Sequence, residues 1–257
     1  MADALTVVRR RRRILEYLSD RTASKRDIVA ATDSSRSTVN RAISELSSLG
    51  LVERVEGGFR TTTPGRLSLG VVVEATETMR TIEEWSDVLS NVPVDASVSH
   101  RFLVGADVAA GDSAAPYSGI DDLFDRLRRA DRIRGFSVTD NDPRWTRTLH
   151  ERAASGAMRA DIALTRPMAE YIIEEYAEQF DEYLAADGYE IRVCETLPFG
   201  LILLDVDGRT VAHLLVHDDR GSLVAQVENA RPDAVEWAES RFIDRFEDGT
   251  PLSAFVE

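Results

Sequence analysis

Lysine and cysteine are nearly missing from this chain. Of its 31 cationic side chains only Lys25 is lysine, the other 30 being arginine, and Cys194 is its single cysteine. One thiol excludes an internal disulfide framework and a cysteine-rich zinc module. No apolar run approaches the roughly 20 residues that a membrane-spanning helix needs, so no integral membrane protein is expected. The first residues are charged and lack the apolar core of a secretory leader, which predicts a cytoplasmic product. No Gly-x-Gly-x-x-Gly or P-loop pattern occurs, and with it goes the simplest route to a bound nucleotide.

What is present is acid. The 257 residues carry 45 Asp and Glu, for a net charge of −14, within a composition that is 43% hydrophobic and therefore globular. This length suits one large domain or two ordinary ones. The charge is unevenly placed: residues 1–66 hold 13 cations against 8 acids, a net of +5, whereas the remainder holds 18 against 37, a net of −19. A basic head on an acidic body points to a polyanion-binding end. Abundant acid, small side chains and scarce lysine look like a protein from an extreme halophile. A GC-rich genome accounts for the missing lysine but not for the acid excess.

In the head, Val8, Ile14, Leu15 and Leu18 recur at helical spacing behind the run Arg9–Arg13. Ser24 stands three residues before Asp27, the start signal of a short second helix. Ser35 is the expected N-cap of a third, which Gly50 ends. Val39, Ala42, Ile43, Leu46 and Leu49 form its apolar face, and Arg36, Ser37, Asn40, Arg41 and Ser44 its polar one. Two extended runs follow around Glu56-Gly57-Gly58, a hairpin signal. Three helices and a hairpin in this order predict a winged helix-turn-helix over residues 1–63.

That arrangement gives double-stranded DNA as the expected partner, with the third helix in the major groove. Arginine can be bidentate to guanine and asparagine to adenine, so Arg36, Asn40 and Arg41 are the candidate base readers. Ser35, Ser37 and Thr38 suit phosphate oxygens, and Arg60 on the wing suits backbone or minor groove. Arg10 and Arg13 are further phosphate candidates. The stretch SSRSTVNRAISELSSLGLVERVEGGFRTTTPGR resembles prokaryotic winged-helix transcription regulators. An adaptor that binds only proteins, and an enzyme with a regulatory winged helix, are the alternatives.

Residues 64–92 are expected to form a connecting helix, with Thr63 as N-cap and Pro64 at the first helical position. Val71, Ala75, Met79, Ile82, Trp85 and Leu89 stripe it, as a homodimer interface or a docking face for the next domain would require. Residues 93–257 alternate strand and helix: strands at Arg101–Val104, Ile133–Val138 and Asp161–Leu164, helices around Leu123 and Leu149 and from Pro167 to about Leu184. Four further runs, Tyr189–Cys194, Phe199–Asp205, Thr210–Val216 and Ser222–Val227, precede a helix over about Pro232–Phe246. The expected fold class is therefore mixed α/β, with a sheet parallel first and antiparallel at one edge.

The segments APYSGIDDLFDRLRRADRIRGFSV, ALTRPMAEYIIEEYAEQF and LPFGLILLDVDGRTVAHLLVHDDRG resemble the sensor domain of archaeal regulators named after the methanogenesis regulatory protein FilR. The resemblance implies a sensor of a small-molecule effector, with a fold distantly similar to half of the phospholipase D architecture. The His-x-Lys pair of those enzymes is absent, since no histidine lies two residues before Lys25. No catalytic residue, cofactor or metal is assigned. His213 and His217 on one strand lie about 13 Å apart, too far to share a metal. A ligand in an open α/β sheet sits beyond the carboxyl ends of parallel strands, which makes Tyr117, Asp140 and Arg166 the candidate pocket residues.

Overall fold

The structure, a computed structural model, describes residues 3–110, 121–139, 142–176 and 186–256. The chain divides into two compact units, Met1–Arg80 and Thr81–Glu257.

In the first unit, α1 (Ala4–Leu18), α2 (Lys25–Thr32) and α3 (Arg36–Ser48) precede a hairpin of β1 (Val52–Val55) and β2 (Gly58–Thr61). The expected caps form. Ser24 and Asp27 close a capping box around the start of α2, and the Ser35 hydroxyl accepts from the Thr38 N–H at the start of α3. Asp33 takes the left-handed turn between these two helices. Val39, Ala42, Ile43 and Leu46 of α3 are buried in one cluster with Ile14, Leu15 and Leu18 of α1 and Ile28 of α2. This burial, and not any surface bond, fixes which side of α3 faces outward. The hairpin pairs Val52 with Thr61 and Val55 with Gly58, and Phe59 bridges to Ala23 through two backbone hydrogen bonds of 2.9 and 3.0 Å.

The connecting helix α4 runs Thr63–Glu84, followed by a short α5 (Ser86–Leu89). Its cap is one residue earlier than the sequence suggests: the Thr62 hydroxyl accepts from the Gly65 N–H and donates to the Gly50 carbonyl. Leu69 and Val72 join the core of the first unit.

Among its described residues the second unit builds one eight-stranded sheet, β10-β6-β5-β4-β7-β8-β9-β3. The strands are β3 (Asp107–Ala110), β4 (Arg132–Ser137), β5 (Arg159–Thr165), β6 (Tyr189–Cys194), β7 (Gly200–Val206), β8 (Arg209–His217), β9 (Leu223–Asn229) and β10 (Thr250–Pro251). Strands β4, β5 and β6 run parallel; every other pairing is antiparallel. Between β7 and β8 the turn residues Asp207 and Gly208 both take positive φ, as the Asp-Gly signal implies.

Two expectations are corrected here. Arg101–Val104 is not a strand: His100–Leu103 forms a helical turn, α6, whose Phe102 packs on Trp237. The first strand comes after Gly105 and pairs antiparallel with β9 at the sheet edge, so the sheet does not begin parallel. The expected long helix from Pro167 is α9 (Arg166–Glu175), and its predicted continuation lies outside the described residues. Helices α7 (Asp121–Leu127), α8 (Pro143–Ala154) and α9 contribute to the core on one sheet face. The C-terminal helix Pro232–Asp248 and α6 pack on the other, together with Ile82, Val88, Leu89 and Val92.

Gly58 generates the first prediction. It sits at φ +149°, and a Cβ there would lie 2.2 Å from the Ala23 carbonyl oxygen. Gly58→Ala is therefore expected to break the wing-to-Ala23 bridge and to cost the first unit on the order of 3 kcal/mol. Urea unfolding followed by circular dichroism on the full chain checks this.

Candidate nucleic-acid interface and sensor cavity

The polar face of α3 is fully presented. Arg36, Ser37, Asn40, Arg41 and Ser44 are all exposed, and neither arginine makes an ion pair among the described residues. Ser35, Ser37 and Thr38 gather at the helix start, with Ser35 Oγ 2.9 Å from both Ser37 Oγ and Thr38 Oγ1. Three hydroxyls and the first N–H groups of a helix together form a polar, positively polarised end, suited to a phosphate oxygen.

Four other arginines of the head are engaged in ion pairs within it. Arg10 and Arg11 both reach Glu45 on α3, at 3.1 and 2.9 Å, tying the start of α1 to the recognition helix. The hydrogen bond from Arg11, with both guanidinium charges beside it, holds the Glu45 carboxyl below its ordinary range. Arg12 pairs with Glu16 along α1. On the wing, Arg60 Nε donates to Glu53 across the strand pair at 2.7 Å. Arg13 is exposed. The wing cation that sequence reasoning missed is Arg54, exposed and without an ion pair among the described residues. Only the hairpin register, which places Glu53 and not Arg54 opposite Arg60, tells the two cations apart.

Of the three candidate pocket residues, Tyr117 and Asp140 lie outside the described residues. Arg166 is exposed at the first turn of α9. The structure places a cavity of about 70 Å³ elsewhere, between the sheet and α7–α9, and Arg166 is not among its lining residues. Its walls are mainly apolar, with Ile133 and Ile162 on the sheet facing Trp145, Leu149 and Met168 on the helices. Among the described residues the polar lining is Ser137, Thr139, Asp142, Thr146 and the pair His150–Tyr189.

That pair is tight, with Tyr189 Oη 2.5 Å from His150 Nδ1. Burial pushes the His150 pKa down to about 4, so its ring is neutral at physiological pH. Asp142 caps α8 and is clasped by Arg144, whose Nε and Nη2 lie 2.6 to 3.0 Å from its oxygens. Burial alone would raise its carboxyl, yet the hydrogen bonds from Arg144 outweigh it and keep Asp142 ionised. Further along the same sheet face, His213 is fully buried, its Nδ1 3.1 Å from the Gln226 amide. Burial first, and the Arg126 charge second, depress its pKa to about 3. Cys194 is buried, with its thiol hydrogen-bonded to the Arg245 carbonyl and its pKa raised by burial. A thiol so placed is a poor nucleophile.

The depressed histidines give a pH prediction. Unfolding releases them to an ordinary pKa near 6.5, so below that value the unfolded chain binds more protons and stability falls with pH. Between pH 6.5 and 5, His150 and His213 are each expected to remove stability with a slope approaching about 1.4 kcal/mol per pH unit. Urea unfolding followed by tryptophan emission, for the parent chain and for His150→Asn, reads this out. The variant's slope should be shallower by about one proton, and equal slopes contradict the assignment.

Comparison with known proteins adds the following. No curated protein matches the chain. Solved structures that the chain matches in part include TrmBL2, an archaeal chromatin protein described with a novel mode of DNA binding, at 13% identity over 93% of this chain and 92% of that one, TM-score 0.42. An IclR homologue from Microbacterium sp. strain HM58-2 shares 15% identity over 96% of this chain and 98% of that one, TM-score 0.25. The riboflavin-derivative dimethyltransferase RosA from Streptomyces davawensis shares 15% over 76% and 65%, TM-score 0.26. Likenesses at these scores decide nothing about activity. The family models are more telling. Residues 1–84 match the HVO_A0261 N-terminal domain. Residues 116–248, just over half of the chain, match the middle domain of the methanogenesis regulatory protein FilR1, and the chain belongs to that family of regulatory proteins.

Proposed function

We propose that this regulator grips double-stranded DNA through α3 and its wing, as a homodimer, and that its second unit adjusts the grip by binding a small-molecule effector. The observation that carries the DNA reading is the outer face of α3. Arg36, Asn40 and Arg41 stand exposed on a helix whose opposite side is locked into the core. Arg36, Asn40 and Arg41 take the base-edge roles, Ser35, Ser37 and Thr38 the phosphate roles, and Arg60 with Arg54 the wing contacts. Arg60 would exchange its exposed bond to Glu53 for a phosphate at small cost, since such surface pairs contribute about 0–1 kcal/mol.

The acid-rich body and near-absence of lysine support a cytoplasm of high salt. In molar salt the screening length is about 3 Å, so affinity must come from close contacts. The acidic body then does little to repel DNA from the basic head. The family match and the cation-rich reading face support regulation by binding rather than catalysis.

The test is a mobility-shift measurement of the full chain on duplexes selected from a random pool, at stated salt. Arg36→Ala with Arg41→Ala should weaken binding at least about tenfold and flatten sequence preference. Unchanged binding by this variant, with its circular dichroism intact, overturns the reading.

For the dimer, Leu67, Val71, Ala75 and Met79 recur every four residues along α4, and all four are exposed, Leu67 by 68% and Val71 by 63%. A second copy laid along this stripe would remove it from water, and a two-fold pair of recognition helices is what reading two half-sites about one helical turn apart requires. Val71→Glu with Met79→Glu should turn a dimer into a monomer in sedimentation equilibrium. A parent that sediments as a monomer throughout the micromolar range contradicts the assignment.

A further inference from the structure

Glu45 is the only acid on α3, and it stands four residues after Arg41. At that spacing two side chains of a helix are neighbours, and opposite charges attract along its surface. Arg41 therefore has one acid within local reach. It does not take it: Arg41 is exposed and makes no ion pair among the described residues.

The reason lies on another helix. Arg10 and Arg11 of α1 both donate to one Glu45 oxygen, Oε2, at 3.1 and 2.9 Å. Arg11 is the firmer partner, because only 11% of its side chain is exposed and little water competes for its Nε. Two charge-assisted bonds of this kind outweigh one exposed pair within a helix, and arginine before glutamate is the weaker order for such a pair. The Glu45 carboxyl agrees with this. The hydrogen bond from Arg11 and the charges of Arg11 and Arg10 hold it below its ordinary range, and Arg41 is not among the groups acting on it.

Where Arg41 and Glu45 would meet matters for reading. Four residues carry a helix about 40° past one full turn, which puts Glu45 on the side of Arg41 away from Asn40 and Arg36. A guanidinium drawn to Glu45 would point off the reading face. A Glu45 carboxylate without its α1 partners would also turn an uncompensated negative charge toward the phosphates of a bound duplex.

We infer that Arg10 and Arg11 are positioning residues for DNA reading: they occupy the Glu45 carboxylate and so leave the Arg41 guanidinium free for a base edge. The inference rests on the DNA reading given above to α3. It gives the arginine run of α1 a task that needs no contact with the duplex.

The test is a mutant cycle on the full chain, read by mobility shift on a duplex selected from a random pool, at one stated salt concentration. Glu45→Gln in the parent should change affinity by less than about 1.5-fold, since its carboxylate is already engaged. Arg10→Gln with Arg11→Gln should weaken binding about threefold or more, and adding Glu45→Gln to that variant should recover the loss. Arg11→Met, which keeps the buried stem, replaces Arg11→Gln if that variant does not fold. Without DNA, carbon-13 NMR titration of the Glu45 carboxyl reads its partner directly. Arg41→Gln should leave the Glu45 midpoint unchanged in the parent and raise it once Arg10 and Arg11 are replaced. An effect of Glu45→Gln that is equal in the two backgrounds overturns the inference, as a simple phosphate contact by Arg10 or a purely structural brace would produce. A Glu45 midpoint that responds to Arg41 alike in both backgrounds, or in neither, overturns it too. A parent that ignores every duplex while the titration behaves as described upholds the charge partition on α3 and overturns the regulatory reading alone.

Discussion

Burial on both faces is the constraint on which the second unit is built. Strands β4, β7 and β8 sit mid-sheet with helices on either side, so alternate residues must serve two different interiors. In β7, Ile202 and Leu204 face α7–α9, whereas Leu201 and Leu203 face the C-terminal helix. In β8, Leu215 belongs to the first interior and Ala212, Leu214 and Val216 to the second. One register step would exchange the two sets. The division also separates tasks. One interior holds the cavity and the buried histidines, and the other receives Ile82, Val88, Leu89 and Val92 from the connecting segment. The sheet is a wall shared between them, one residue thick.

In the head the corresponding constraint is electrostatic. A net charge of +5 spread over 66 residues is a weak statement about partners. The ion pairs sharpen it. Arg10 and Arg11 converge on Glu45, Arg12 on Glu16 and Arg60 on Glu53, whereas Arg36 and Arg41 on α3 and Arg54 on the wing are among the exposed cations not drawn into such pairs. Glu45 has a double part: its helix carries the reading face, and its carboxylate fastens that helix to α1. The arginine run at the start of α1 therefore acts first as a brace and only second as a basic surface.

Much of this was legible in the sequence, and what was legible was local. The Ser24–Asp27 capping box, the Ser35 cap, the hairpin at Gly57-Gly58 and the Asp207-Gly208 turn each lie within a few residues and each formed. Arg101–Val104 misled because three consecutive apolar residues carry no period of their own. Their helical turn is fixed from far away: the Asn229 side chain donates to the carbonyls of Phe102 and Val104, at 2.8 and 2.9 Å, more than 120 residues along the chain. The candidate base readers could be named from one helical face. The cavity could not, because its lining is drawn from three helices and five strands, and the strand-end rule points to loops and not to the space beneath α8.

That space bears on stability. A core volume of about 70 Å³ that side chains do not fill costs on the order of 2 kcal/mol relative to one packed to ordinary density. The polar groups around it are not disordered by this: Asp142 is capped and clasped, and His150 is held by Tyr189 and by the ring of Tyr176 at 5.1 Å. A packing defect would be expected to relax its lining, and here the lining is fixed while the centre is open.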